Sequence, residues 1–170
     1  AQYFYPQRQT QVMNEGWATF WHHRILNTMY DDGHLTDGVM IEWLTSHTNV
    51  VYQPQVGQRG YSGINPYALG FAMYTDIKRI CDAPTAEDRE WFPDIAGKPW
   101  LEVLDHAMRN FKDESFVGQY LSPKLMRELR LFAITDDEND DELEVSAIHD
   151  DAGYRRVREA LAHQYDLGSR

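Results

Sequence analysis

The stretch Asn14-Glu15-Gly16-Trp17-Ala18-Thr19-Phe20-Trp21-His22-His23 concentrates a carboxylate, two imidazoles and bulky aromatics around a glycine. These residue types can ligate a metal or move protons. A glycine costs about 1 kcal/mol in a helix interior relative to alanine. One physical reason to accept that cost is close approach by another backbone or by a ligand. The apolar neighbours predict partial burial of Glu15, and a buried carboxylate needs a counter-charge, hydrogen bonds or a metal. Helix geometry limits the choice. Glu15 and His22 share a face to within about 20°, but roughly 10.5 Å of rise separates them. Two ligands on one helix want about one turn, and position 19 is Thr. Glu15 could therefore be one metal ligand, with the others coming from elsewhere. Asn14, His22 and His23 are expected beside the site or against substrate. The competing reading is a hydrogen-bonded carboxylate with two packed polar residues near a surface.

Other candidates are simpler. His47 reads as a helix-end cap, with substrate contact as its alternative role. Arg59 and Tyr61 lie in a Gly-rich loop and could bind an anionic group, although solvated loop residues are the default. Cys81 falls on an apolar face and reads as a structural cysteine rather than a nucleophile. Asp113 and Glu114 are adjacent, so on a helix they do not face each other as an acid–base pair. The acidic run 136–142 reads as a solvated turn, and His149-Asp150-Asp151 as a helix cap. No Gly-rich phosphate loop and no Ser-His-Asp motif occurs.

These residues sit in a 170-residue chain with 16 Lys and Arg against 27 Asp and Glu, a net charge of −11. That balance opposes general binding to nucleic acid or anionic lipid. No apolar run approaches the roughly 18 residues of a membrane span. One cysteine allows no internal disulfide and no CxxC metal site. The start at Ala1 has neither the basic stretch nor the apolar run of a signal peptide. A cytoplasmic protein is the expectation. The missing initiator Met suggests a segment of a longer chain.

The elements that must position the candidates are mostly helices. Residues 11–31 read as a long, deeply packed helix ended by Asp32-Gly33. Thr36 caps a second helix over 36–47. Residues 48–65 form a long loop. Asn65-Pro66 starts a helix running to about Cys81. Thr85 caps a short helix before Pro93, Pro99 opens another, and Ser122-Pro123 repeats the cap-plus-proline signal. Residues 129–148 read as a β-hairpin about the acidic turn. Asp150 or Asp151 caps a final helix. The expected fold is mainly α (α+β), a helical core with one hairpin and a C-terminal helix, in one domain or part of one. Glu15 is expected inside a helix and shielded. Exposed Trp or Tyr side chains near residues 1–25, or self-association that covers them, are expected too.

Several segments closely resemble the SpoVR (stage V sporulation protein R) family. They are Gln9-Thr10-Gln11-Val12-Met13-Asn14-Glu15-Gly16-Trp17-Ala18, Ser46-His47-Thr48-Asn49-Val50-Val51-Tyr52-Gln53-Pro54 and Ile64-Asn65-Pro66-Tyr67-Ala68-Leu69-Gly70. Trp91-Phe92-Pro93-Asp94-Ile95, Arg109-Asn110-Phe111-Lys112-Asp113-Glu114-Ser115 and Ile148-His149-Asp150-Asp151 join them. The resemblance covers essentially the whole chain. It implies a link with spore cortex formation or with stress and stationary phase. It also implies a serine protein kinase and a von Willebrand-type protein as partners. Glu15-Gly16-Trp17-Ala18 further resembles the EGWA-like helices of some gluzincin zinc metallopeptidases, where the Glu is the third metal ligand. The SpoVR resemblance implies a paired-His helix of HxxxH spacing upstream. Together they imply a zinc site completed by residues outside this segment, in a hydrolase of peptide or cell-wall amide bonds. This sequence departs from the gluzincin pattern: it contains no HExxH, so no general-base Glu is assigned. The alternative is a non-catalytic regulatory or scaffold protein working with the kinase system.

Overall fold

The longest helix carries the chemistry-bearing segment. The computed structural model describes residues 5–54, 58–131, 133–135, 144–146 and 150–166. After a short α1 (Tyr5–Gln9), α2 spans Gln11–Asp31, the bounds expected for the first long helix. Gly33, at φ 76°, turns the chain out of it. α3 (Asp37–Val50) starts on Thr36, whose hydroxyl accepts from the Val39 N–H. It runs one turn further than expected, so the loop before the next helix begins at Val51 rather than at Thr48.

α4 (Pro66–Asp82) begins at the expected Asn65-Pro66 signal. Asn65 does two jobs there. Its side-chain oxygen accepts from Tyr67 N, and its amide nitrogen donates to the Val50 and Tyr52 carbonyls at 2.8 and 3.1 Å. One residue thus satisfies the orphan groups at the end of α3 and at the start of α4. Gln53 accepts from the Asn65 N–H at 2.6 Å and closes the loop base.

α5 (Ala86–Trp91) carries a capping box between Thr85 and Asp88. α6 (Trp100–Asn110), α7 (Asp113–Tyr120) and α8 (Pro123–Glu128) follow, the last capped by Ser122. α9 (Asp151–Gln164) starts on Asp150, which accepts from Gly153 N at 2.7 Å.

The hairpin expected over 129–148 is not seen at that extent. Leu129 N–H still bonds the Leu125 carbonyl, and Arg130 turns at φ 51°, so the first expected residues finish α8. The region is described by two three-residue strands, β1 (Ala133–Thr135) and β2 (Glu144–Ser146), paired antiparallel with Ile134 opposite Val145. The acidic turn at 136–142 and His149 lie outside the described residues.

The core forms where α4 meets α2, with α6, α7 and α8 around it. Val12, Met13, Leu69, Met73, Tyr74, Ile77, Phe116 and Met126 are almost fully withdrawn from water. Trp17 packs edge-on to Trp21 and Tyr74, with ring centroids 5.5 and 5.6 Å apart. Trp17 and Trp21 are half-buried rather than exposed, while the side chains of Tyr3 and Tyr5, which the same expectation covers, lie outside the described residues. Most of the exposed large apolar side chains lie on α3 and the later turns of α2, namely Ile25, Met29, Val39, Ile41, Leu44 and Val50, with Leu101 on α6 and Tyr52 and Tyr61 in the loop besides. The reason is packing: α4 covers the aromatic face of α2, whereas only part of α3 meets a neighbour. Among the described residues no helix is long and apolar enough to cross a membrane.

Candidate functional site

Two devices fix α2. The first is the contact of Gly16 with Gly70, where the two helix backbones meet with no room for a side chain. This is the close backbone approach that a glycine among aromatics implied. The second is Asp113, at the start of α7. Its carboxylate is 1% exposed and accepts from Val12 N and Met13 N, both at 2.9 Å. A residue about a hundred positions away therefore caps α2, satisfying N–H groups that its own sequence leaves open. Burial pushes the Asp113 carboxyl up, while the backbone N–H groups pull against that shift. Sequence reasoning weighed Asp113 only as half of an acid pair. It is instead the anchor of the helix that bears Glu15.

Glu15 is half-buried in the interior of α2, as expected. The Tyr67 hydroxyl from α4 lies against it. That hydrogen bond, and then the Glu15 charge, hold the Tyr67 phenol above its usual range. Among the described residues no Lys, Arg or His forms an ion pair with Glu15. Asn14 is exposed and donates to Thr10 Oγ1 at 2.9 Å. It does not turn toward Glu15.

The imidazoles meet one another rather than Glu15. His23 on α2 and His47 on α3 have ring centroids 4.9 Å apart. Trp43 packs against both, at 5.5 and 5.3 Å. Phe71 on α4 closes the group at 5.3 Å from His23 and 4.9 Å from His47. His22 is exposed and touches the rim of this cluster through Trp43. Burial, and then the neighbouring Arg24 charge, push the His23 imidazole down. Burial, and then His23 and His22, do the same to His47. The Trp43 indole N–H is shielded from water and has no hydrogen-bond partner among the described residues. His47 lies in the last turn of α3, but its ring stacks in this cluster rather than capping the helix.

Arg59 and Tyr61 are exposed in the loop, and neither hydrogen-bonds or ion-pairs with Glu15 or the imidazoles. Cys81 is buried, and burial pushes its thiol up to about 11, which leaves it protonated and unreactive. Among the described residues no group of three or more His, Cys, Asp or Glu is placed to hold a metal ion. The described residues do not by themselves complete a metal site around Glu15.

A second polar group was missed from sequence. Arg79 forks onto Asp88 at 2.6 and 2.8 Å and reaches Asp76 at 2.7 Å. Ser122 donates to the other Asp76 oxygen at 2.6 Å. Asp76, Asp88 and Ser122 are buried, so this network joins α4, α5 and α8. Its carboxylates are already matched by a guanidinium and a hydroxyl, which assigns it to architecture rather than chemistry.

A relative from Escherichia coli (strain K12), described as "Uncharacterized protein YcgB", is 63% identical over 169 residues. The match covers 99% of this chain and 33% of the relative, so the chain spans about a third of the length of that relative. No solved structure matches the chain. The family model described as "SpoVR like protein" matches residues 1–170. The chain belongs to the SpoVR family.

Proposed function

We propose that this chain contributes Glu15 to the metal site of a zinc-dependent hydrolase of peptide or cell-wall amide bonds. The carrying observation is the setting of Glu15. It is a half-buried carboxylate with a phenol beside it and no cation paired to it among the described residues, on a helix pinned at both Gly16 and Asp113. A partly desolvated carboxylate of that kind attracts a cation. Zinc bound by two imidazoles and a carboxylate supplies a Lewis acid and lowers the pKa of a bound water. The remaining donors come from residues outside this segment. Tyr67 holds the Glu15 carboxylate in place, and His23 and His47 pack against Phe71, one turn along α4 from Tyr67. Asn14 and His22 are exposed and remain candidates for contact with substrate. Arg59 and Tyr61 remain candidates for contact with an anionic group.

The exposed apolar side chains of α3 favour a second reading, a regulatory or scaffold role beside a serine protein kinase and a von Willebrand-type protein. Val39, Ile41, Leu44 and Val50 leave an apolar surface of the kind that marks an interaction site.

Elemental analysis of the full-length protein separates the two readings. Stoichiometric zinc, abolished by Glu15→Ala and weakened by Glu15→Gln, is the result expected of the first. Protein that stays folded and zinc-free in metal-supplemented, chelator-free buffer supports the second.

A further inference from the structure

We propose that His23 and His47 form a two-imidazole seat for a divalent transition-metal ion, bridging α2 and α3 separately from Glu15. The geometry comes first. An ion bound to each ring nitrogen at about 2.0–2.1 Å, with its bonds near the tetrahedral angle, sets the two imidazole centroids about 5 Å apart. The observed separation is 4.9 Å. The rings come from different helices, α2 and α3, and are tilted by 46° to each other.

The surroundings suit a metal. A neutral imidazole offers a lone pair to a metal, and metal binding competes with its protonation. Trp43 and Phe71 wall the pair on two sides. Arg24, the cation that acts on His23, directs its guanidinium over the Trp100 ring at 4.7 Å. With no third His, Cys, Asp or Glu in place among the described residues, an ion here keeps open positions for water or for an added ligand. Borderline nitrogen donors favour nickel, copper and zinc over magnesium or calcium.

The seat makes a mechanical prediction as well. This cluster joins α3 to α2 and α4, so an ion held by both rings clamps α3 onto α2. Metal must then raise the unfolding temperature of the folded chain, because it binds the native pairing and not the unfolded one.

Nickel and zinc titrated calorimetrically into the 170-residue chain test this directly. One ion per chain is expected, with a rise in unfolding temperature. His23→Ala and His47→Ala should each lose affinity by well over the roughly 10- to 100-fold of a change in an outer partner. His22→Ala and Glu15→Ala should keep it. Far-UV circular dichroism, with His47→Gln as a gentler variant, guards against simple misfolding. Copper(II) bound to the unmodified chain should show electron-spin splittings from two imidazole nitrogens. Absence of binding to the folded chain, or binding that survives His47→Ala, overturns the seat. Loss of binding in Glu15→Ala while His47→Ala retains it also overturns the seat and locates the ion at Glu15. Failure here leaves the Glu15 reading to be decided by zinc in the full-length protein.

Discussion

A Cβ atom added to Gly16 would stand 2.5 Å from the carbonyl carbon of Gly70, and one added to Gly70 would stand 2.6 Å from the Cα of Gly16. Both obstacles are helix backbone, which cannot rotate aside as a side chain can.

Gly16→Ala should therefore destabilise the protein, although alanine gains about 1 kcal/mol in helix propensity. Forcing α2 and α4 apart across a packed core costs more than that gain, and a net loss of about 2 kcal/mol is expected. Gly38→Ala on α3 is the control. Nothing lies within 4 Å of its added Cβ, so it should gain about 0.4–1 kcal/mol. Urea unfolding of both variants checks the opposite signs.

Asp113→Ala removes the acceptor for the Val12 and Met13 N–H groups at the start of α2. Each buried donor left unsatisfied costs about 1–3 kcal/mol. Asp113→Asn keeps one acceptor oxygen and should lose less. Thermal unfolding ranks the two, and equal stability of Asp113→Ala and the parent would show that α2 does not depend on this cap.

Stability should fall as the pH drops below about 6.5, the unperturbed imidazole value. His23 and His47 have folded pKa values below that of the unfolded chain, so the unfolded state binds protons first. The contribution is complete above the unfolded pKa and is lost as the pH falls through the lowered folded values. The groups facing the pair are His22 and Arg24 from α2, with Trp43 on α3 and Phe71 on α4. None is an acid that could offset the added charge. His47→Gln should flatten the dependence between pH 7 and about pH 5 in denaturant titrations.

Arg79→Ala should be among the most damaging single changes. It leaves Asp76 and Asp88 buried without their guanidinium, at about 3–5 kcal/mol. Arg79→Lys cannot restore the fork onto Asp88, so it should rescue little. Arg79 holds the Asp88 carboxyl well below its usual range. That part of the stability is complete above the unfolded carboxylate pKa and disappears as the pH falls further into acid. Calorimetric unfolding across the acid range measures it.

The helix starts were legible because their chemistry is local. Thr36, Asn65, Thr85, Ser122 and Asp150 each accept from an N–H two or three residues on, so the signal and its partner share one short window. Gly16 was legible as a point of close approach, but its partner was not. Periodicity places a residue on a helix face without naming the helix that meets it. The same limit hid the cap from Asp113 to Val12, which spans 101 positions. It also hid the meeting of His23 with His47. Seven-residue geometry along α2 correctly separated His22 from Glu15, yet it carried no information about α3. The hairpin was overextended because Leu129 and Arg130, though apolar-flanked, complete the turn after α8.

The Gly16–Gly70 contact also works as a key in a keyway. A helix packed through ordinary side chains can roll slightly as its neighbours change rotamer. A roll of 20° would carry a carboxylate about 6 Å from the helix axis through roughly 2 Å. That is several times the roughly 0.5 Å tolerance of a productive site. With two backbones in contact there is no side chain to yield, so the azimuth of α2 is set once, at folding. Glu15, one residue along from the key, inherits that azimuth, and so do His22 and His23 further up the same shaft.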